Sequence, residues 1–535
     1  MNKYIILALF FTSMTTYSME CNTLIESDST ALKDNYKIVS IQINSHPIFS
    51  DEEADSWFYQ LGNSIHINTK EYVVQKTLPF RVGDIISLDL IDETERILRT
   101  KNYLRDAEVS YQLVCNEEKS VGIIINTWDN WSLKPTADFG RIAGENSYTI
   151  GVEDDNFLGL GIGTSVEYNS DPFRSGYRLY VSSELFEEEH IYSSVTYADN
   201  TDGKEHAFSL IRPFYTLNSS WASAFNVSNT KQIDTIYQND LIVNEFSHQI
   251  KNLELKYGTS NGVIKNKVWR FWYGIHFSED LFDPNQNSNL VPLNRKLTYP
   301  FVAFEYHENN FIVEENVFLI DAKEDIQLGY QYQGKVGVDI DKSNSSTSTI
   351  WNFSAQHTSV INKNWFLHYW FEGKGVESSQ QNLNTSKLSL GYQTIYKINN
   401  EHSSWSTLVF NRVRNAYIDK PNSLGGESLL RGFPLQYQHG ENTILLSFEQ
   451  RYNPHIDVFH LAKLGFMGFI DIGKAYGKSD FPNLENGYLA SIGFGARFYL
   501  SRASGKKIVS LELAKPIVSE FQSDIEYRVS VTSYF

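Results

Sequence analysis

The run Leu424-Gly425-Gly426-Glu427-Ser428-Leu429-Leu430-Arg431-Gly432-Phe433-Pro434 reads as a loop made to fold back inside a pore, with the rest of the chain as the wall around it. Two adjacent glycines give the backbone the φ freedom of a tight turn, and Gly432 lets Arg431 and Phe433 diverge from a narrow tip. Pro434 then ends the excursion. Alone, an Arg-Gly-Phe tripeptide is a solvated loop cation. The strands that follow give it partners. In residues 443–452, Ile444, Leu446, Phe448 and Tyr452 are apolar at even positions, while Ser447, Glu449 and Arg451 fall at odd ones, the period-2 signature of a two-faced strand. In residues 466–473 the apolar set Phe466, Ile470 and Ile472 puts Asp471 on the opposite face in the same way. With the apolar faces against lipid, Glu449 and Asp471 point into the lumen beside the loop cation. An unpaired charge there costs on the order of several kcal/mol, so the three are expected as partners.

The closing strand repeats the pattern. Tyr527, Val529, Val531 and Phe535 share one face, and Arg528, Ser530 and Thr532 the other. From Leu133 onward the chain is a succession of candidate strands with no strong helical segment. The clearest is Ile326-Gln327-Leu328-Gly329-Tyr330-Gln331-Tyr332-Gln333, apolar or aromatic on one face and amide or glycine on the other. Counted this way the chain offers about twenty runs of strand character, the short ones between Ala207 and Val227 reading equally as hairpin extensions above a membrane.

The loop with Arg431-Gly432-Phe433, then Phe448-Glu449-Gln450-Arg451, then Phe469-Ile470-Asp471-Ile472-Gly473, then the terminal aromatic Phe535, resembles the BamA/TamA superfamily, which FhaC-type secretion transporters share. The resemblance implies a mainly β fold: a sixteen-stranded antiparallel transmembrane barrel over residues 132–535, with this loop between strands eleven and twelve. It implies that Arg431 contacts acidic residues on the next two strands, which carry over to Glu449 and Asp471. It also implies that the final strand, with Tyr527, Val529, Val531 and Phe535, is the signal read by the barrel assembly machinery.

Residues 36–127 read as a small α+β module. Residues 37–43 alternate as a strand, Asp51-Glu52-Glu53 begins a candidate helix over 51–62, and Ser87 precedes a helix over 88–103 with Leu90, Ile91, Thr94, Ile97 and Leu98 at helical spacing. Ala107, Val109, Tyr111 and Leu113 then alternate, and Val121, Ile123 and Ile125 alternate again after the turn at Asn116-Glu117-Glu118-Lys119, which makes a hairpin. The order resembles a single POTRA module, with residues 79–84 and 102–107 as its turns. The periodicity changes at Trp128-Asp129-Asn130-Trp131, where the module ends. Those tryptophans, beside Lys134 and Pro135, fit either a membrane–water interface or ordinary packing between domains.

Composition sets bounds on this. The chain has 535 residues with 14% aromatics, and its mean hydropathy is negative, too polar for a bundle of membrane helices yet compatible with a barrel, whose signal is hidden by alternation. A net charge of −18 argues against nucleic acid as a partner. Residues 1–18 read as a secretory signal: Lys3, an apolar segment over 4–11, and Thr16-Tyr17-Ser18 as a small-x-small cleavage site. Cys21 and Cys115, the only two cysteines, either remain free thiols or join in an oxidising periplasm. Such a bond would close a loop of about 95 residues, worth on the order of 4 kcal/mol in the chain-entropy description.

No His-Glu-x-x-His pair and no cysteine cluster for zinc is present, and Gly159-Leu160-Gly161-Ile162-Gly163 lacks the following helix that a nucleotide-binding loop needs. No enzyme, cofactor or metal is expected. The expected setting is the outer membrane of a Gram-negative cell, with the small module in the periplasm. The expected action is to insert or translocate client polypeptides or lipid-linked cargo. Its rivals are a dedicated two-partner secretion transporter, and a passive pore or surface antigen.

Overall fold

The computed structural model describes residues 36–49, 57–113, 119–142, 144–185, 190–239, 241–341, 347–380, 382–426, 430–483, 485–501, 506–518 and 525–533. Residues 1–18, read as a secretory signal, and Cys21, Cys115 and Phe535 lie outside them, as does the start of the helix expected from residue 51.

The N-terminal part orders as β1 (Tyr36–His46), α1 (Trp57–Ile65), α2 (Glu71–Thr77), β2 (Ile85–Ile86), α3 (Leu88–Arg99), β3 (Leu104–Leu113) and β4 (Ser120–Asp129). Its sheet runs β2-β1-β4-β3, with β1 parallel to β4 and the β3–β4 hairpin antiparallel. The Ser87 hydroxyl caps α3 by accepting from the Leu90 N–H at 3.3 Å. One stripe of α3 supplies Ile91 and Leu98 to a core with Ile38, Val74, Val121, Ile123 and Ile125. Two details depart from the sequence reading. Helix α2 was not foreseen: its seven residues bury Val73, Val74 and Thr77, too short a run to show a period. Helix α3 stops at Arg99 and not at Tyr103, the Thr100 N–H being shared by the Arg96 and Ile97 carbonyls at 3.1 Å each.

From Leu133 the chain forms a closed antiparallel barrel of twenty strands, not the sixteen the resemblance implies. The runs read as hairpin extensions are wall. Gly203–Arg212 pairs along eight positions with Trp221–Gln238, which in turn pairs with the 24-residue strand Leu241–Ile264. The loop of interest joins the fifteenth strand, His402–Arg414, to the sixteenth, Asn442–Val458. Five strands lie from there to the C-terminus, the same as sixteen minus eleven, so the four additional strands (twenty minus sixteen) all precede the loop.

The strand that looked clearest is broken. Ile326 and Gln327 close an internal hairpin, Phe311–Glu315 with Lys323–Gln327, and the wall resumes at Gly329 with φ +89°. Gly144, with φ +84°, sits in the turn after the first barrel strand, Leu133–Ile142, and not within it. Among the described residues that first strand meets the last, Glu526–Ser533, at one register position, Val529↔Arg141. Ten positions join it to its other neighbour, Glu145–Asp154, and eight join the last strand to Lys507–Val518.

Outward positions carry exposed apolar side chains around the wall, among them Ile150, Tyr177, Leu255, Val302, Phe448 and Phe494. No helix among the described residues is long and apolar enough to cross a membrane.

The small sheet is tied to the near end of the barrel through three successive turns. In the first, Lys70 donates its N–H to the Gly159 carbonyl at 3.1 Å, and Asn156 donates to Thr69 Oγ1 at 2.8 Å. The glycine-rich stretch 159–163 is thus a docking turn: a Cβ on Gly159 would lie 2.5 Å from the Asn68 carbonyl oxygen, and one on Gly161 2.7 Å from Val73 Cγ1. In the second, Glu184 receives His190 at 3.0 Å and Lys101 at 3.8 Å, and burial pulls the Lys101 ammonium below the ordinary lysine range. In the third, Tyr215 donates its hydroxyl to the Thr77 carbonyl, and the Leu217 N–H donates to Glu93 Oε1 at 2.6 Å. Of the tryptophans at the end of the small module, Trp128 stacks on His46 at 5.2 Å within the sheet, and Trp131 donates to the Leu133 carbonyl at the start of the barrel.

Candidate functional site

Alternation along Asn442–Val458 and Ala462–Tyr476 sends Ser447, Glu449, Arg451, Phe469 and Asp471 to the inside, while Phe448 and Ile470 face out. The two strands pair with Ser447 opposite Asp471, so the acidic groups come from neighbouring rows of one wall. The loop delivers Arg431 between them. Its backbone is shaped by left-handed glycines: Gly425 and Gly426 have φ +109° and +66°, and the Gly426 N–H donates to the Phe433 carbonyl at 3.0 Å, closing the tip. Gly432, at φ +87°, runs against the last strands, where a Cβ would meet Pro516 and Ala514 at 3.3 and 3.4 Å.

Arg431 is 4% exposed and makes five polar contacts from its side chain. Nε and Nη2 donate to Asp471 Oδ2 and Oδ1 at 2.8 Å each, Nη1 donates to Glu449 Oε1 at 2.9 Å, and Nη2 also donates to Ser447 Oγ at 3.2 Å. Nη1 lies 3.8 Å from Glu512, and the guanidinium carbon stands 3.5 Å from the centre of the Phe469 ring. The planar fork thus meets a matching carboxylate on one edge and an aromatic face on the other, an arrangement lysine cannot copy. The carboxylates are held in turn. Ser447 donates to Asp471 at 2.6 Å, and Arg451 donates twice to Glu449 Oε2, at 2.9 and 2.7 Å. Phe433, 1% exposed, packs with Leu424, Leu430, Tyr437, Leu445 and Leu489.

Sequence reasoning brought together Arg431, Gly432, Phe433, Glu449 and Asp471. It passed over Ser447 as a partner, and Glu512, although Leu511 outward and Glu512 inward follow the same period-2 pattern. It also missed Arg528, which donates to the Gly426 carbonyl at 3.0 Å from the final strand. A second anchor lay outside any pattern: Asp419, at the start of the loop, is gripped by Arg295 through paired 2.8 Å bonds. Asp419 with Asp234 and His248 is the one group among the described residues with metal-ligand spacing, its ligand atoms within 4.8 Å of one another, yet Arg295 already occupies the Asp419 carboxylate. Tyr527 and Val531 face outward on the last strand.

Gly258-Thr259-Ser260-Asn261-Gly262 has the spacing of a nucleophile elbow, a pattern the sequence search overlooked. The fold removes the chemistry. The run is a bulge on Leu241–Ile264 followed by another strand, and Ser260 Oγ donates to the Trp269 carbonyl at 2.9 Å.

Among the solved structures that this chain is similar to are BamA and CdiB. BamA from Haemophilus ducreyi lacking POTRA domains 1–3 is 13% identical, with 93% of this chain and 85% of that one covered and a TM-score of 0.42. CdiB from Acinetobacter baumannii is 12% identical over 93% of this chain and 74% of that one, TM-score 0.45; CdiB from Escherichia coli is 13% identical over 93% and 76%, TM-score 0.44. No family model and no curated protein matches.

Proposed function

We propose that this chain is an outer-membrane protein of a Gram-negative cell that inserts or translocates client polypeptides or lipid-linked cargo, with residues 36–127 a POTRA module on the periplasmic side and residues 132–535 the barrel. The observation that carries the reading is the seam: two strands that each pair along eight or ten positions on one side meet each other, among the described residues, at a single position, Val529↔Arg141. Backbone groups left unpaired at such an edge are a template for an incoming strand, so this is where the wall parts at least cost. The latched Arg431 loop closes the lumen beside it, Gly426 being held by Arg528 of the last strand.

The small sheet adds a second place for a client to pair. Strand β1 meets β2 only at Tyr36 and Lys37, which leaves its edge from Ser40 onward without a strand partner among the described residues. An extended client strand adds there by backbone hydrogen bonds alone, so the activity is binding and not bond-making. The outward face of Tyr527, Val529 and Val531 serves the chain's own insertion by the barrel assembly machinery.

The experiment is a comparison of outer-membrane protein and lipid content with and without the gene. Depletion of several surface proteins or of one lipid class supports insertion or translocation. Loss of a single exported partner makes the protein a two-partner secretion transporter, and an unchanged membrane makes it a passive pore or surface antigen.

A further inference from the structure

We propose that the internal hairpin at residues 311–327 is a second plug, closing the near mouth of the barrel and coupled to the Arg431 loop through the wall. Its tip is the reverse of an ordinary loop tip. Where polar residues facing water are the rule, Val317, Phe318, Leu319 and Ile320 stand in succession, and Val317, Leu319 and Ile320 are at most 2% exposed. The tip is shaped from within: Glu324 accepts the N–H groups of Val317 and Phe318 at 3.0 and 3.1 Å, and Asp321 and Asn316 take left-handed φ of +50° and +59°.

The reach of the hairpin decides what it does. It leaves the wall between the tenth strand, Arg295–Glu308, and the eleventh, Gly329–Val338. Its tip packs on Phe366, Ile395 and Trp405, and then on Tyr499 and Ile508 of the eighteenth and nineteenth strands. From the eleventh strand to the eighteenth is seven positions in a ring of twenty, and the hairpin touches the thirteenth to fifteenth strands on the way, so it covers that arc of the near mouth from inside. On its outer side the Phe311 ring lies under Arg96 of helix α3, 5.2 Å from the guanidinium carbon. Polar contacts from the fourteenth, sixteenth and eighteenth strands hold it too: Lys397 donates to the Glu315 carbonyl at 2.8 Å, His455 meets Asp321 at 2.6 Å, and Arg497 donates to the Phe318 carbonyl at 3.0 Å.

The two internal segments share one chain of contacts. Arg431 bonds Glu449, Glu449 bonds Arg451, the Arg451 guanidinium lies 3.5 Å from the Trp405 ring centre, and Trp405 meets Phe318 edge-on at 5.6 Å. Releasing Arg431 frees Glu449 to reposition Arg451, and with it the Trp405 face on which the hairpin tip rests. Displacement of either plug therefore favours displacement of the other.

The inference rests on the barrel spanning a membrane, and the test reads the two separately. The full chain, with Cys21→Ser and Cys115→Ser, is reconstituted in planar lipid bilayers, and heat-modifiable gel mobility is checked on each preparation. Ile320→Asp, which places a charge in a sealed site without touching the wall, is expected to raise ion conductance several-fold. Ile320→Cys with Gly465→Cys is the crosslinking pair, Ile320 Cδ1 lying 3.0 Å from where a Gly465 Cβ would be, and its disulfide is verified by titration of free thiols. Oxidised, that pair should abolish the extra openings produced by Arg431→Ala, and reduction should restore them. Wild-type conductance from a heat-modifiable Ile320→Asp barrel overturns the plug. If Ile320→Asp does not assemble, the disulfide decides alone: Arg431→Ala openings that are the same oxidised and reduced overturn the plug and its coupling. A preparation without heat modifiability counts against the membrane barrel itself.

Discussion

Arg431 and Asp471 meet edge to edge: Nε and Nη2 of the guanidinium each stand 2.8 Å from one oxygen of the carboxylate, 40 residues apart in sequence and both almost wholly buried. Removing one member of such a pair leaves the other charged in a site built for two, which typically costs about 3–5 kcal/mol when fully desolvated and less in a wet lumen. Arg431→Ala, Asp471→Ala and Glu449→Ala are therefore expected to expose the loop to added protease and to lower activity, with membrane insertion retained. Arg431→Lys should resemble Arg431→Ala, because a point charge cannot bridge Asp471, Glu449 and Ser447 together. Wild-type protease resistance and activity in all of them would return Arg431 to a solvated cation.

The seam is tested by closing it. The register Val529↔Arg141 places Phe139 opposite Val531 in the antiparallel pair. A disulfide between Phe139→Cys and Val531→Cys is expected to abolish activity when oxidised and return it when reduced. Full activity with the bond complete leaves the lumen as the only route.

The joint between sheet and barrel turns on Glu184, which faces both Lys101 and His190. Glu184→Ala leaves Lys101 buried without its carboxylate, a loss of about 1–3 kcal/mol of docking. Hydrogen exchange should then quicken in α2 and α3 while the barrel strands stay protected. Equal exchange in the variant and the wild type would mean that the other two turns hold the sheet unaided.

Phe208 and Val227 face each other across strands that a sixteen-stranded wall would leave above the bilayer, and both point outward. A fluorophore on a single cysteine at either position is expected to be quenched by brominated lipid. Quenching by aqueous iodide instead would take these strands out of the membrane.

How far the sequence could be read depended on whether one period covered the evidence. Glu449 and Asp471 were legible because each sits within an unbroken apolar alternation next to a loop cation. Glu512 obeyed the same period and was overlooked for want of a nearby motif. Asp419 and Arg295 were not legible at all, being 124 residues apart with nothing local to link them. Strand number went wrong in an instructive way. The residues themselves offer about twenty runs and the wall has twenty strands, whereas sixteen is only what the resemblance implies. Residues 326–333 misled for another reason: both halves alternate, but Gly329 turns the chain from inside the barrel into its wall, and a positive φ leaves no mark in a hydrophobic pattern.

The number of strands also fixes how much space has to be filled. Diameter grows roughly in proportion to strand number, so twenty strands enclose an opening about a quarter wider and roughly half again larger in cross-section than sixteen would. The Arg431 loop has five strands after it, the number the resemblance implies, and the four further strands lie among the fifteen before it. The hairpin at 311–327 leaves the wall among those fifteen strands and reaches the eighteenth and nineteenth. Barrel width and hairpin are therefore one design variable: cutting two strand pairs from the N-terminal half would leave the Ile320 tip nowhere to go, and any successful narrowing of this barrel has to shorten the hairpin with it.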